Sequence, residues 1–181
     1  RQLTEIGRQM ARLPVDVKLA RMLVAAKQHD SLQEMIVIAA FMGIADPRER
    51  PADAKQAADT AHRQFADSGS EFLAVIRLWR AYRQMHEELS QSQLRKWCER
   101  NFLSYLRMRE WRELHRQLLI TARELQWPLP EWPDIEARLE AAAQDTKAAA
   151  RHYQQIHRAV LAGLPTQIGH KNDKGLYDAP R

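Results

Sequence analysis

The sequence predicts an all-α, multi-helix bundle that ends in a short β-hairpin. Apolar residues recur at three- and four-residue steps along almost the whole chain, which is the repeat of one helix face. Glycine is scarce in the body: of six, only Gly43 and Gly69 fall between Arg8 and Ala162, while Gly163, Gly169 and Gly175 crowd the last 19 residues. Residues suited to capping or breaking helices stand between the periodic stretches.

Leu3, Ile6, Met10 and Leu13 form a first short stripe that stops at Pro14. Asp16 can cap a second helix bearing Val17, Ala20, Leu23 and Val24. Ser31-Leu32-Gln33-Glu34 fits a capping box, in which serine accepts from the amide three residues on and glutamate reaches back. The apolar run Met35 to Met42 that follows reads as a helix buried on most sides, although periodicity alone allows a strand. Asp46-Pro47 and Arg50-Pro51 mark a loop. A helix with Ala54, Ala57, Ala58, Ala61 and Phe65 runs to Asp67-Ser68-Gly69, and Ser70 caps the next, whose stripe is Phe72, Val75, Ile76, Trp79 and Tyr82. After a break near Ser90 to Ser92 come Trp97, Cys98 and Phe102, then a long stripe from Leu103 through Leu106, Trp111, Leu114, Leu118, Ala122 and Leu125. Trp127 to Pro133 reads as an extended connector, with Asp134 capping a helix that bears Ile135 and Leu139. The last helix shows Tyr153, Ile156 and Val160 and ends at Gly163, read as the left-handed residue past a helix end. Gln167-Ile168-Gly169 and Leu176-Tyr177 flank a polar turn and read as a hairpin. Two strands alone are not stable, so this reads as the first piece of a sheet domain.

A chain of 181 residues with 45% hydrophobic and 28% charged residues can bury a real core. Its single cysteine excludes an intrachain disulfide and a cysteine-held metal. The run Met35 to Met42 is too short to span a bilayer, and no N-terminal signal pattern is present, so the expected location is cytoplasmic.

The net charge of +5 has one source. Between Arg95 and Arg123 eight basic residues face only Glu99, Glu110 and Glu113, and the remainder of the chain is neutral. On a helix, Arg109, Arg112 and Arg116 fall on one face with Arg123 two turns on. Such a row suits the successive phosphates of a nucleic-acid strand, because the guanidinium fork bonds phosphate oxygens bidentately. The competing reading is a solvated face partly paired with Glu110 or Glu113. Trp97, Tyr105 and Trp111 lie among these charges and could stack bases, although their spacing with Phe102, Leu106 and Leu114 favours the core.

Catalytic patterns are absent. There is no P-loop and no G-x-G-x-x-G, and His152 and His157 are five apart, whereas a helical ligand pair needs four. His86-Glu87-Glu88 reads as surface helix, and Cys98 as a small buried hydrophobe. A buried carboxylate–histidine pair in a deep pocket would be the sign of a hydrolase site that these motifs miss.

Leu3-Thr4-x-x-Gly7-Arg8-x-Met10-Ala11-x-Leu13-Pro14-Val15-Asp16, followed by Leu19-Ala20-Arg21-Met22-Leu23, resembles the segment after the two motor domains of DEAH-box RNA helicases. Glu34-Met35-x-x-Ile38-Ala39-Ala40, Arg50-Pro51-Ala52-Asp53 and Ser70-Glu71-Phe72-Leu73 keep the family's order, with glutamate for aspartate in the last. Trp97-Cys98-x-x-Asn101-Phe102-Leu103 and Arg116-Gln117-Leu118 are the most distinctive matches, and Leu106 to His115 looks like the bacterial HrpA type. Ala159-x-Leu161-x-Gly163-Leu164, with Ile168-Gly169 and Tyr177, resembles the lead into the family's oligonucleotide-binding (OB) barrel. The resemblance implies three parts: 1–27, the end of a winged-helix portion and a lead-in helix; 28–162, the helical ratchet domain; and 163–181, the truncated start of an OB-fold. It also implies an accessory, non-catalytic part of an ATP-dependent helicase. ATP and Mg would belong to the motor domains, and this region would line the single-stranded RNA channel. Its expected partners are that RNA and the motor domains of the same polypeptide. Arg107, Arg109, Arg112, Arg116 and Lys171 are the expected phosphate contacts. The alternative is a helical scaffold that docks a motor domain or a ribosomal partner.

Overall fold

The computed structural model describes residues 4–163. Among them are nine helices: α1 (Glu5–Arg12), α2 (Val17–Gln28), α3 (Leu32–Met42), α4 (Lys55–Arg63), α5 (Glu71–Glu88), α6 (Gln91–Arg100), α7 (Tyr105–Glu124), α8 (Trp132–Gln144) and α9 (Thr146–Gly163). The only β-type pairing among the described residues is an isolated bridge between Arg48 and Leu103. The expected hairpin over Gln167 to Tyr177, and Lys171 within it, lie outside the described residues.

Local chemistry starts most of these helices. The side chains of Thr4, Asp16, Ser70, Ser90 and Ser104 each accept from an amide of the first turn. Three expectations fail at helix ends. Ser31 forms no side-chain cap; its hydroxyl donates to the Gln155 carbonyl at 3.2 Å, and Glu34 turns inward. The capping box lies instead at Ser90 and Gln93, where the backbone is exposed and no tertiary partner competes. Helix α8 starts at Trp132 after Glu131, earlier than the Asp134 cap, because Pro133 needs no amide partner in a first turn. Gly163 is the last residue of α9 rather than a left-handed cap, and its missing side chain has another use. A Cβ there would lie 2.0 Å from Met22 Cγ and 3.0 Å from the Lys18 carbonyl oxygen, so glycine permits the close contact of α9 with α2.

Helix α3 is the centre. Every residue from Leu32 to Ala40 is buried, and α2, α5, α7, α8 and α9 all pack on it. The one charge inside, Glu34, is fully buried and is met by His152 Nε2 of α9 at 2.9 Å and by Arg138 of α8 at 3.6 Å. Arg138 also holds Asp30 at the end of α2, and Gln33 donates to the Pro130 carbonyl at 2.7 Å. Polar bonds therefore tie the α8–α9 hairpin to the core.

Helix α7 lies on α3 through Trp111, which is fully buried and donates its Nε1–H to the Val37 carbonyl at 3.0 Å. The Phe41 ring meets Trp111 edge-on at 5.1 Å. Trp79 of α5 stands 4.9 Å from Trp111 and 4.4 Å from His115. Burial pushes the His115 imidazole down to about 3, helped by the nearby Arg83 and Arg112 charges, so the ring is neutral at ordinary pH. Leu106, expected in the core stripe, is 62% exposed: it stands on the outer side of α7, away from α3.

Three outcomes test this account. Glu34→Ala should lower unfolding stability by about 3 kcal/mol in urea titration, because it strands the buried His152 and leaves Arg138 with Asp30 alone. Pairing Glu34→Met with His152→Leu should recover most of that loss, since no unpaired polar group remains. Gly163→Ala should cost about 2 kcal/mol by the same measurement, through overpacking against Met22. The third outcome concerns pH. The folded His115 pKa lies below the unfolded value of 6.5, so the unfolded chain binds more protons between 6.5 and about 3. Stability contributed here is complete above pH 6.5 and falls as pH drops through that window, by about 3 kcal/mol at pH 4. His115→Gln should flatten the dependence of the denaturation midpoint on pH over this range.

Candidate nucleic-acid interface

The start of α7 is fixed by its approach. Phe102 adopts φ 53°, a left-handed conformation uncommon for an aromatic residue, and it turns the chain out of α6. His62 Nε2 donates to the Phe102 carbonyl at 3.0 Å, and the Ser104 amide donates to the Pro47 carbonyl at 2.8 Å. Ser104 then caps α7. From this anchored start, Met108, Trp111, His115, Leu118 and Ala122 turn inward and set the helix's rotation. The opposite face is left for Arg109, Arg112, Arg116 and Arg123, all exposed.

The expected phosphate contacts divide accordingly. Arg109, Arg112 and Arg116 come together on one face, joined by Arg123. Arg107 stands on nearly the opposite side and donates to the Asp46 carbonyl at 3.1 Å. Arg116 is held by Glu113 through bonds of 2.6 and 3.1 Å. Arg109 and Arg95 lie over the Tyr105 ring at 5.8 and 4.7 Å from its centre. Arg112 and Arg123 make no ion pair among the described residues. Of the aromatic residues considered for base stacking, Trp111 is core and Trp97 packs edge-on against Phe65 at 6.3 Å. Tyr105 is half-buried beneath its two arginines.

A groove runs between α5 and α7. Its two adjoining parts share Tyr82, His86, Arg112 and Glu113 in their walls. One part extends toward Leu94, Tyr105 and Leu106. The other, about 380 Å³, extends past His115 and Arg116 to Arg123 and Trp132. Its acidic lining residues are Glu87, Glu113 and Glu131, fewer than its four arginines. Most of its other lining residues, Arg83, His86 and Trp132 among them, were not singled out from the sequence as site residues. Arg83 and His86 continue the row of Trp79 at four and seven residues along α5, a signal that was legible. Trp132 arrives only through tertiary structure: Arg80 pairs with Glu136, Trp132 Nε1 donates to Glu136 at 2.8 Å, and Arg83 lies over the Trp132 ring at 4.9 Å. Burial and Arg112 lower the His86 pKa, and burial pushes the Tyr82 phenol up to about 12. Both therefore face the groove as neutral hydrogen-bonding groups at ordinary pH.

The arrangement can bind an anionic strand, and its residues do not assemble a catalytic group. Among the described residues no cluster of three or more His, Cys, Asp or Glu side chains is placed to hold a metal ion, and no glycine-rich cradle for nucleotide phosphates is present. Cys98 is fully buried, and that burial pushes its thiol up to about 11. A buried carboxylate–histidine pair does exist in Glu34 and His152, which sequence reading missed because the partners are remote in the chain. Glu34 is closed to solvent, and the cavity beside His152 is lined by no serine, threonine or cysteine. His157 is likewise structural: its Nδ1–H donates to the Tyr153 carbonyl at 2.7 Å, and Ser70 donates to its Nε2 at 2.9 Å. No helix among the described residues is long and apolar enough to cross a membrane.

Residues 16–106 match the family described as Helicase associated domain (HA2), ratchet-like. The chain is 41% identical over 171 residues to the ATP-dependent RNA helicase HrpA homolog of Haemophilus influenzae, an alignment that covers 94% of this chain and 12% of that protein. It is 38% identical over 181 residues to the ATP-dependent RNA helicase HrpA of Escherichia coli, covering 99% of this chain and 13% of that protein. The chain thus spans about an eighth of the length of these relatives. With a family match over half its length and an all-helical described body, the chain belongs to the ratchet-like helicase-associated (HA2) domain family.

Proposed function

We propose that this chain is the accessory, non-catalytic ratchet part of a DEAH-box, ATP-dependent RNA helicase of the HrpA type. In this reading the outer face of α7 lines the path of single-stranded RNA and helps hold the strand during translocation and unwinding. The observation that carries it is the row Arg109, Arg112, Arg116 and Arg123, which stands exposed along one wall of a groove and holds most of the chain's excess charge. Arg112 and Arg123 are the strongest phosphate contacts, being unpaired among the described residues. Arg116 exchanges its bond to Glu113 for a phosphate. Arg107 is the weakest of the four α7 candidates named from sequence, since its guanidinium is spent on the Asp46 carbonyl.

The rest of the assignment follows the family. Residues 1–27 end a winged-helix portion and supply an entry helix, 28–162 form the ratchet body, and 163–181, Lys171 among them, begin an OB-fold. ATP and Mg act in motor domains of the same polypeptide, in the cytoplasm.

A second reading has one observation in its favour. Leu106 and Ile120 are 62% and 40% exposed on the same outer side of α7 as the arginines. An acidic, partly apolar protein surface, such as a motor domain or ribosomal protein, would suit that mixture.

Anisotropy titration of a labelled single-stranded RNA against salt separates the two. Phosphate contact predicts a linear fall of log affinity with log salt, and Arg112→Ala should reduce the slope by about one. Arg112→Glu should weaken all RNA sequences about equally, because phosphates carry no sequence information. RNA binding that ignores both salt and Arg112 would remove the arginine row from the RNA path.

A further inference from the structure

Four buried side-chain polar atoms lack a partner among the described residues, and three of them gather at one place. Glu34 Oε1 belongs to the core pair. Trp79 Nε1, Tyr82 Oη and His115 Nε2 all belong to residues that line the 380 Å³ part of the groove between α5 and α7. The Trp79 ring lies 4.4 Å from His115 and 6.3 Å from Tyr82. A polar atom in a dry, low-dielectric site is costly to leave unpaired, so a trio of them beside a groove points to a partner, water or ligand, from outside the protein.

The chemistry of the three atoms narrows that partner. The Trp79 N–H only donates, the Tyr82 hydroxyl donates or accepts, and a neutral His115 offers a donor or an acceptor at Nε2 according to tautomer. A phosphate oxygen only accepts, and so leaves the acceptor capacity of the hydroxyl and the imidazole unused. Neutral groups of mixed character suit the edge of a nucleobase, which presents donors and acceptors in one plane. The cavity is large enough for one base, and Trp132 and Leu119 offer faces for its flat sides. Arg112, Arg116 and Arg123 stand on the α7 wall, where the phosphates attached to such a base would lie.

We propose that this part of the groove is a nucleobase pocket, in which one base of the bound single strand turns inward to Trp79, Tyr82 and His115 while its phosphates stay on the arginine row. The inference rests on the RNA-binding reading above and extends it from backbone to base. The three atoms are closed to solvent in this conformation, so the base enters as side chains lining the groove rearrange.

The test compares two labelled strands of equal length, oligouridine and its abasic ribose-phosphate counterpart, titrated into the whole chain at fixed salt. The base-bearing strand should bind about tenfold more tightly, the scale of one stacked and hydrogen-bonded base. Tyr82→Phe removes one hydroxyl that has no partner, so its thermal midpoint should be equal to or above that of the parent. It should still weaken oligouridine about threefold and leave the abasic strand unchanged. Trp79→Phe should act in the same direction. Equal affinity of the two strands overturns the pocket and leaves the arginine row standing. So does a base preference that survives both variants intact, which would place the base contact elsewhere. Failure of both strands to bind overturns the pocket together with the RNA reading.

Discussion

A helix that is apolar around its whole circumference is stable only where neighbours cover every face, and α3 imposes that requirement on the chain. Five helices answer it, from both ends of the sequence. The burial is so complete that the one carboxylate within it, Glu34, has to be answered by a histidine and an arginine from remote helices. The hairpin of α8 and α9 is thereby oriented as well as packed. Polar groups on this helix act as addresses: they admit one arrangement of the neighbours, whereas apolar contact alone would tolerate several.

The same requirement fixes the outer surface. Because Trp111 is committed to the Val37 carbonyl, the rotation of α7 about its axis is set, and with it the direction in which the arginines point. Charge on this helix is therefore a by-product of what its other face must bury. The seam between α5 and α7 shows the opposite compromise. Apolar side chains of matching shape at the Trp79, Tyr82 and His115 positions would leave no orphaned polar atoms. A chain that retains all three there gives up stability at the floor of its groove.

Much of the fold was legible in the sequence because helix caps and apolar repeats are local. Asp16, Ser70 and the stripe of Trp79 and Tyr82 need only their own neighbours to act. The misreadings share a cause. Ser31 and Glu34 have the spacing of a capping box, but burial supplied stronger partners across 124 and 118 residues. Gly163 has the position of a helix stop, but its role is set by Met22 on another helix. Leu106 has the period of the core, but lies on the side of α7 that faces away from α3. At the candidate site, the shared face of Arg109, Arg112 and Arg116 was visible from spacing alone. The other wall of the groove was not, because Trp132 reaches it through a loop, one ion pair and a cation–π contact that no local pattern encodes.

The close contact at Gly163 also fixes where the chain comes and goes. Helix α2 begins at Val17 and α9 finishes against Met22 and the Lys18 carbonyl, so the backbone returns to the corner it set out from. The helical body from 17 to 163 is in topological terms a closed excursion, a cassette with its inlet and outlet side by side. Segments attached at the two ends of this body therefore start as neighbours in space.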